Sequence, residues 1–502
     1  MGGKIVIPPR AGELSFPAME KRRAKILATM GPALEDPAML ERVIRAGANA
    51  FRINFSHGDR EQHARYLASI RAAARRLKTP IGVLADLMGP KVRVDAREYK
   101  LETGERVGLI PRPGDPAASE IGISYPGLCD LIGPGQRILL DDGKLEIRVE
   151  SVERRPKGGR KAVCRVIRGG ILKPNKSLNV PGVDLRLPVL SKKDKEDLAF
   201  ILGAGFDWIA ASFIRHGEDI RAIKRYMERL GASLPLVAKV ESAQAVENLE
   251  GIVDAAEGVM VARGDLGVEL DLELIPAVQR EVIKIARDRG KLTIVATQML
   301  ESMTTSSRPS RAEVTDVSTA ALARVDALML SGETATGAYP VEAVEMMDRI
   351  IKTTERGMVK DFVDIRHSEP IALVCEAGLY LSANSKAKAL VALSTHGTTP
   401  RILSTYRGNI PVVVACEQAA IYQRSTLYYS VHPRMIKAVR NPELVFRRLE
   451  SELKREGWVG KGDVIVFTFG HPVHTRHGTN SIRRWVVDEP SRAGGRKSEG
   501  KK

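Results

Sequence analysis

LPLVAKVES, residues 234–242, and GVMVARGD, residues 258–265, decide how this chain folds. Each is a short apolar run that turns polar only at its far end, the pattern of a buried strand finishing at a working surface. Side chains alternate across a strand, so Lys239 and Glu241, two positions apart, share one face. A cation and an anion are thereby brought together at the end of an apolar element.

Working outward, the same kind of run recurs as KILATM (25–30), AFRINF (50–55), IGVLADL (81–87), WIAASF (208–213), LTIVATQ (292–298) and ALMLSGE (327–333). Most are followed by a stretch with apolar residues at three- and four-residue spacing, such as DPAMLERVIRAG or DREQHARYLASIRAAARRLK. Eight strand–helix units of this kind predict an α/β chain built on a (β/α)8 TIM barrel. The barrel is expected over residues 21–94 and 185–355, after an N-terminal segment of residues 1–20. Between 95 and 184 the text becomes Gly- and Pro-rich and alternating, which predicts a small β-barrel lid domain inserted after the third strand. Residues 356–488 read as a separate C-terminal α/β domain, with a helical EAGLYLSANSKAKA and the strands ALVALS, PVVVAC and DVIVFTF. Residues 489–502 read as a basic, disordered tail.

Composition bounds the function. A chain of 502 residues has material for two to four domains and a large core. No apolar run approaches the ~18 residues of a membrane span, and MGGKIVIPPR lacks a secretory apolar stretch, so a cytoplasmic protein without a membrane partner is expected. Cys129, Cys164, Cys375 and Cys416 are scattered, with no CxxC pair, and read as free core thiols. The formal charge of +17 fits nucleic acid or anionic small substrates. With 5% aromatic residues and no basic stretch interleaved with aromatics, stacking platforms for nucleic acid are not evident.

The polar strand ends are Thr29, Asn54 and Ser56, Asp86, Ser212, Lys239 and Glu241, Asp265, Thr297 and Ser331. In a TIM barrel the active site is built at these C-terminal ends. Glu241 and Asp265 end adjacent strands, where two carboxylates can share one hard divalent cation, Mg²⁺ or Mn²⁺. A blander reading is a buried ion pair between Glu241 and Lys239. A second carboxylate without a second cation would then leave buried charge unpaired. Glycines around Asp265 let backbone approach a ligand, and the helix after them would turn its N–H groups toward an anion.

The stretches KILATMGPA, FRINFSHG, DLMGPKVR, NVPGVDLRLP, LVAKVES, MVARGDLGVE, ATQMLESM, RPSRAEVTDV and MLSGETATGAYPVEAV, in this order, resemble the successive signature blocks of pyruvate kinase. The similarity runs on through STHGTTPRILSTYR and HGTN, so it covers nearly the whole chain. It implies phosphoryl transfer from phosphoenolpyruvate to ADP, giving pyruvate and ATP, with a lid closing over a barrel. By motif position, Arg52 and Arg93 would contact the transferring phosphoryl group, and Lys239 would stabilise that group and the enolate oxygen. Glu241 and Asp265 would bind Mg²⁺; Ser212, Gly264, Asp265 and Thr297 would hold the substrate. The enolate's proton would come from Thr297, from a water held by Thr297 and Ser331, or from Lys239. Thr29, Pro32, Asn54, His57, Arg93 and Lys176 would contact the nucleotide. The family also implies a homotetramer.

One departure bears on the cofactors. The family block DTKGPEIR is DLMGPKVR here, with Leu87, Met88 and Lys91 in place of Thr, Lys and Glu. In the common form K⁺ is held at the equivalents of Asn54, Ser56, Asp86 and the carbonyl of residue 87. An ammonium ~5 Å from such an ion, at an effective dielectric near 20, would raise its energy by roughly 3 kcal/mol. Lys91 is therefore expected to remove the need for K⁺ and to occupy the monovalent position itself. A second departure, VSTAALAR for VANAVLDG, places Thr319, Ala323 and Arg324 where subunit packing rather than chemistry is at stake.

In the last domain ALVALSTHGTTPR reads as strand, hydroxyl-rich loop and helix start, an arrangement that cradles phosphate. Relatives bind a phosphorylated effector there, which implies a site at Ser394, Thr395, Gly397, Thr398 and Thr399, with His396 replacing a small residue. Two rival readings are a metal-dependent aldolase or lyase, which would need neither the lid nor the nucleotide contacts, and a basic nucleic-acid-binding protein.

Overall fold

The computed structural model describes residues 21–111, 113–115, 119–155, 159–358, 369–437, 441–471 and 478–488. The expected N-terminal segment 1–20 and the basic tail 489–502 lie outside them. The chain falls into two compact units. One holds Ala24–Thr354 with Gln423–Tyr429, and the other the residues from Glu355 to Tyr422 and from Ser430 onward.

In the first unit the strands β1 (Lys25–Thr29), β2 (Ala50–Asn54) and β3 (Gly82–Asp86) lead into an insertion. The insertion carries β4 (Tyr99–Leu101), β5 (Arg106–Pro111), β6 (Glu120–Ile123), β7 (Arg137–Leu140), β8 (Leu145–Arg154), β9 (Arg160–Arg168), β10 (Gly170–Leu172) and β11 (Leu178–Asn179). The series resumes with β12 (Trp208–Ala211), β13 (Leu236–Val240), β14 (Gly258–Ala262), β15 (Leu292–Ala296) and β16 (Ala327–Met329). The eight barrel strands close in the order β1-β16-β15-β14-β13-β12-β3-β2, all parallel, as the strand–helix alternation predicts.

Parity within the strands sets the site. Ile26 and Ala28 pack outward against the helices, whereas Leu27 between them joins the barrel interior with Ala50, Leu84, Ala210, Val237 and Met329. Stepping by two from those interior residues reaches Thr29, Arg52, Asp86, Ser212, Lys239 and Ser331. The polar strand ends thus crown the interior column of apolar side chains. At the opposite end the column is closed by Gln423–Tyr429, a segment from far along the chain. Leu427 joins the interior cluster, Trp208 Nε1 donates to the Arg424 carbonyl at 3.3 Å, and the Tyr429 amide to Asp326 Oδ1 at 2.8 Å. Gly82 is needed for that closure, because a Cβ there would stand 2.5 Å from Thr426 Oγ1.

Strands β11-β7-β8-β9-β5-β6 of the insertion form one sheet around a core that includes Val107, Leu109, Ile121, Ile138, Ile147 and Cys164. Its two edges are joined through neighbouring residues, since Arg93 bridges Ser177 and Val94 bridges Ile123. Residues after β3 thus tie together the two edges of this six-stranded sheet.

The second unit has a sheet ordered β19 (Val431–Met435), β18 (Val412–Cys416), β17 (Ala389–Leu393), β20 (Val464–Phe469) and β21 (Ser481–Val486), with only β21 antiparallel. Its first helix spans Pro370–Asn384, earlier than EAGLYLSANSKAKA predicts, because Lys386 takes a left-handed φ of 53° and the chain turns into β17. All four cysteines are free and buried. Among the described residues no helix is long and apolar enough to cross a membrane.

Candidate active site

Lys239 is the hub. Its Nζ lies 2.7 Å from Glu241 Oε1, 2.8 Å from Ser212 Oγ and 3.4 Å from Asp86 Oδ1. The other Asp86 oxygen takes Arg52 Nε at 2.6 Å, so one carboxylate anchors both cations. Asp86 and Glu241 are each 1% exposed. Burial alone would raise the Asp86 carboxyl, but Lys239 and Arg52 outweigh it and hold it below the usual range. Burial would likewise depress the Lys239 ammonium, but Asp86, Glu241 and Asp265 outweigh it, and Lys239 stays charged more firmly than an ordinary lysine. Glu241 goes the other way: burial pushes it up, Lys239 pulls it back, and the neighbouring Asp265 pushes with burial.

A cavity of about 240 Å³ opens over this cluster. It is lined by Arg52, Asn54, Ser56, His57, Lys91, Arg93, Lys176, Ser212, Lys239, Glu241 and Asp265, and by Met88, Asp142, Ser177 and Phe213. Arg93 and Lys176 arrive from the insertion: Arg93 Nη1 donates to the Asn175 carbonyl at 2.9 Å, and Lys176 Nζ pairs with Asp141 Oδ1 at 2.8 Å. Five cationic side chains therefore line one cavity with the buried Glu241, the half-buried Asp265 and the exposed Asp142, an electrostatic match for a polyanionic substrate.

The donor set can hold a hard divalent cation. Glu241 and Asp265 share the cavity, and the charge of Asp265 pushes the Glu241 carboxyl up, a repulsion that a dication relieves. Asp265, however, does not end a strand. β14 stops at Ala262, and Asp265 sits in the first turn of the helix Arg263–Glu269. The run GVMVARGD therefore ends as a strand three residues earlier than its apolar pattern indicates.

The expected place of Lys91 is corrected. Its ammonium pairs with Asp265 Oδ1 at 3.8 Å and lies 5.1 Å from the centre of the Phe213 ring, rather than among the oxygens of Asn54, Ser56, Asp86 and Leu87. Several of those oxygens are already engaged. The Leu87 carbonyl accepts from Ser212 Oγ at 2.8 Å, Asn54 Oδ1 accepts from the Ser56 amide at 3.1 Å, and Asp86 holds Arg52 and Lys239.

Thr297 follows β15 with a left-handed φ of 69°, costly for a β-branched residue and a common mark of functional loops. Its hydroxyl accepts from the Gly264 amide at 2.8 Å and donates to the Ala296 carbonyl at 2.6 Å, so Gly264 and Thr297 do come together. Ser331 Oγ is buried without a hydrogen-bond partner. Two expected nucleotide contacts lie apart from the cavity lining. Thr29 is buried, donating to the Leu330 carbonyl at 2.7 Å and facing Arg52 Nη1 at 3.5 Å, and Pro32 is exposed on the turn Pro32–Leu34.

Three supporting residues escape the sequence reading. Glu333 is buried and accepts from the Ser331 amide at 2.7 Å and the Leu300 amide at 3.0 Å, tying together the loops after β16 and β15. Thr334 accepts from the Thr29 amide at 2.9 Å and donates to the Thr29 carbonyl at 3.0 Å. Arg263 reaches the Thr297 carbonyl and Asp316, bracing the strained loop. A glutamate and an arginine lying beside barrel strand ends were the available signals.

In the second unit, Gly397 has a φ of 82° and precedes the helix Thr398–Thr405. Ser394 Oγ accepts from the Gly397 amide at 3.1 Å, Thr395 Oγ1 is 2.8 Å from His396 Nδ1, and Thr399 Oγ1 is 2.8 Å from Thr479 Oγ1.

The pyruvate kinase barrel-domain profile matches residues 21–344, and the pyruvate kinase alpha/beta-domain profile matches residues 372–483. Pyruvate kinase 2 of Synechocystis is 40% identical over 473 residues, covering 93% of this chain and 79% of that protein. A pyruvate kinase of Mycobacterium tuberculosis is 36% identical over 473 residues, covering 93% of this chain and 99% of the relative. The crystal structure of a pyruvate kinase from Cryptosporidium parvum superposes with a TM-score of 0.85 at 28% identity, over 93% of this chain and 96% of the other.

Proposed function

The chain belongs to the pyruvate kinase family and is a phosphotransferase, and from that premise we propose that the Lys239 cluster transfers phosphate from phosphoenolpyruvate to ADP. The observation that carries this reading is the contact of Lys239 with Glu241, Ser212 and Asp86 beneath a cavity ringed by Arg52, Arg93 and Lys176. Such chemistry consists mainly of positioning reactants and neutralising charge. A lactate-dehydrogenase-coupled assay with phosphoenolpyruvate, ADP and Mg²⁺ tests it, and no pyruvate formation would reject it.

In this reading Arg52, held rigid by Asp86, and Arg93, carried by the insertion, grip the phosphoryl group. Lys239 faces the bridging oxygen and balances the enolate left when the phosphorus–oxygen bond breaks. Gly264 and Thr297 hold the substrate carboxylate. Asn54, His57 and Lys176 face the nucleotide, while Thr29 acts through Arg52. Magnesium, held by Glu241 and Asp265, would supply charge neutralisation to the phosphoryl and enolate oxygens. The enolate's proton is delivered by Thr297, by a water held by Thr297 and Ser331, or by Lys239.

The same proposal includes independence from K⁺. Lys91 brings a fixed positive charge to the cavity wall, which disfavours a monovalent ion there. It also includes a phosphate-binding effector loop at Ser394–Thr399, supported by the Gly397 turn and the helix start behind it. A homotetramer is proposed from the family, and Leu322, 56% exposed at the end of the helix Arg311–Leu322, is an apolar residue that such an interface would cover. Light scattering that gave a monomer mass would reject the tetramer.

A further inference from the structure

Each of the two carboxylates assigned to the metal is faced by its own lysine. Lys239 Nζ is 2.7 Å from Glu241 Oε1, and Lys91 Nζ is 3.8 Å from Asp265 Oδ1. Phe213 links the two pairs. Its amide donates to Glu241 Oε2 at 2.8 Å, while its ring lies 5.1 Å from the Lys91 ammonium. The ring is held in place by a left-handed backbone, φ 57°, and by Gly89, where a Cβ would stand 2.9 Å from the ring's Cδ2. Lys91 is thereby steered to Asp265 from two sides, by a carboxylate and by an aromatic face.

We propose that Lys91 stands in for the divalent metal at Asp265 in the free enzyme, so that the metal enters the site together with phosphoenolpyruvate rather than before it. The proposal rests on the reading of Glu241 and Asp265 as the metal's ligands and concerns what governs access to them.

Charge carries the argument. Asp86, Asp142, Glu241 and Asp265 contribute four negative charges, and Arg52, Lys91, Arg93, Lys176 and Lys239 contribute five positive ones, all in or directly beneath one cavity. A dication approaching the free site meets no net attraction and must also displace an ammonium from Asp265. Once the phosphate and carboxylate of the substrate occupy the cavity, the balance turns negative. Lys91 can then leave Asp265 for a substrate oxygen, and the metal gains both the freed carboxylate and the substrate's oxygens. The Lys91 and Asp265 side chains are 26% and 33% exposed, so the ammonium has room to move.

The test is Mn²⁺ binding without turnover, read by electron paramagnetic resonance of the free ion. Wild type, K91M, K91R, E241Q and D265N are measured with and without phosphoenolpyruvate, and with no ADP. The expected result is that K91M binds Mn²⁺ roughly two- to fivefold tighter than wild type in the free enzyme, the effect of losing a part-exposed competing ion pair. K91R should behave as wild type, and phosphoenolpyruvate should shrink the K91M difference. Equal binding by wild type and K91M without substrate would overturn the role of Lys91, provided E241Q and D265N lose the site. Unchanged Mn²⁺ binding in E241Q and D265N would instead overturn the assignment of the metal ligands.

Discussion

Arg52 Nε stands 2.6 Å from Asp86 Oδ2 inside the barrel, 13% and 1% exposed at their side chains. Because the other oxygen of Asp86 faces Lys239, one buried carboxylate fixes the positions of two cations that would otherwise repel each other. Asp86→Asn keeps the shape and removes the charge. Turnover is expected to fall by about a hundredfold, on the scale of losing one preorganised electrostatic element. Stability should drop by about 3 kcal/mol as two cations lose their counter-charge. Steady-state kinetics and urea denaturation measure both, and a variant with near-wild-type turnover would show that Asp86 does not organise the site.

Lys91 leads to a prediction about monovalent ions. Turnover in K⁺-free sodium or tetramethylammonium buffer should stay within tenfold of that in K⁺, and Lys91→Glu should create a K⁺ requirement. A hundredfold loss for wild type without K⁺ rules the idea out.

For the loop at Ser394–Thr399, titrating sugar monophosphates, sugar bisphosphates and nucleotides at subsaturating phosphoenolpyruvate should reveal one that shifts the substrate curve. Gly397→Val should abolish the shift, because its φ of 82° is strained for any side chain and most so for a β-branched one. A flat response to all three classes would leave the loop without a regulatory role.

Much of this architecture is legible in the sequence because interior parity holds through the strands: Val237, Lys239 and Glu241 step along one face, with apolar residues yielding to polar ones at the site. What is not legible has physical causes. The apolar start of VARGD conceals a strand-to-helix change at Ala262, where backbone geometry rather than hydrophobicity decides. β19, VHPRM, carries His, Pro and Arg at an edge of its sheet, and β21, SIRRWV, has two adjacent exposed arginines at its centre and no fully buried side chain, so neither forms an apolar run. The partner of Lys91 is a tertiary fact. Charge at position 91 indicates that an ion is disfavoured nearby, but only the Phe213 ring and Asp265, remote in sequence, determine where the ammonium rests. Arg324, where the family pattern has Gly, holds the left-handed φ of 56° that such a glycine would supply at lower cost.

Glu313 supports a pH prediction. Its carboxylate accepts from the Ser302 amide and the Ser310 amide, each at 2.7 Å, closing the start of the helix Arg311–Leu322. Burial would raise it, but the serine hydrogen bonds outweigh burial and hold it below the ordinary 4.5. A depressed carboxyl contributes stability that is present above the unfolded value and lost as pH falls through the folded one. Glu313→Gln should therefore cost about 1 kcal/mol at neutral pH. The deficit should shrink below about pH 4 in acid denaturation series; a pH-independent deficit would contradict this account.

The most direct test of the central claim is pyruvate release from phosphoenolpyruvate, ADP and Mg²⁺, followed in the lactate-dehydrogenase-coupled assay for wild type and Lys239→Met. Wild type should turn over, and the variant, folded by circular dichroism, should lose at least a thousandfold in kcat with a much smaller change in KM for phosphoenolpyruvate. A folded Lys239→Met enzyme retaining activity within tenfold of wild type would contradict the assignment of Lys239 as the charge that stabilises the departing enolate.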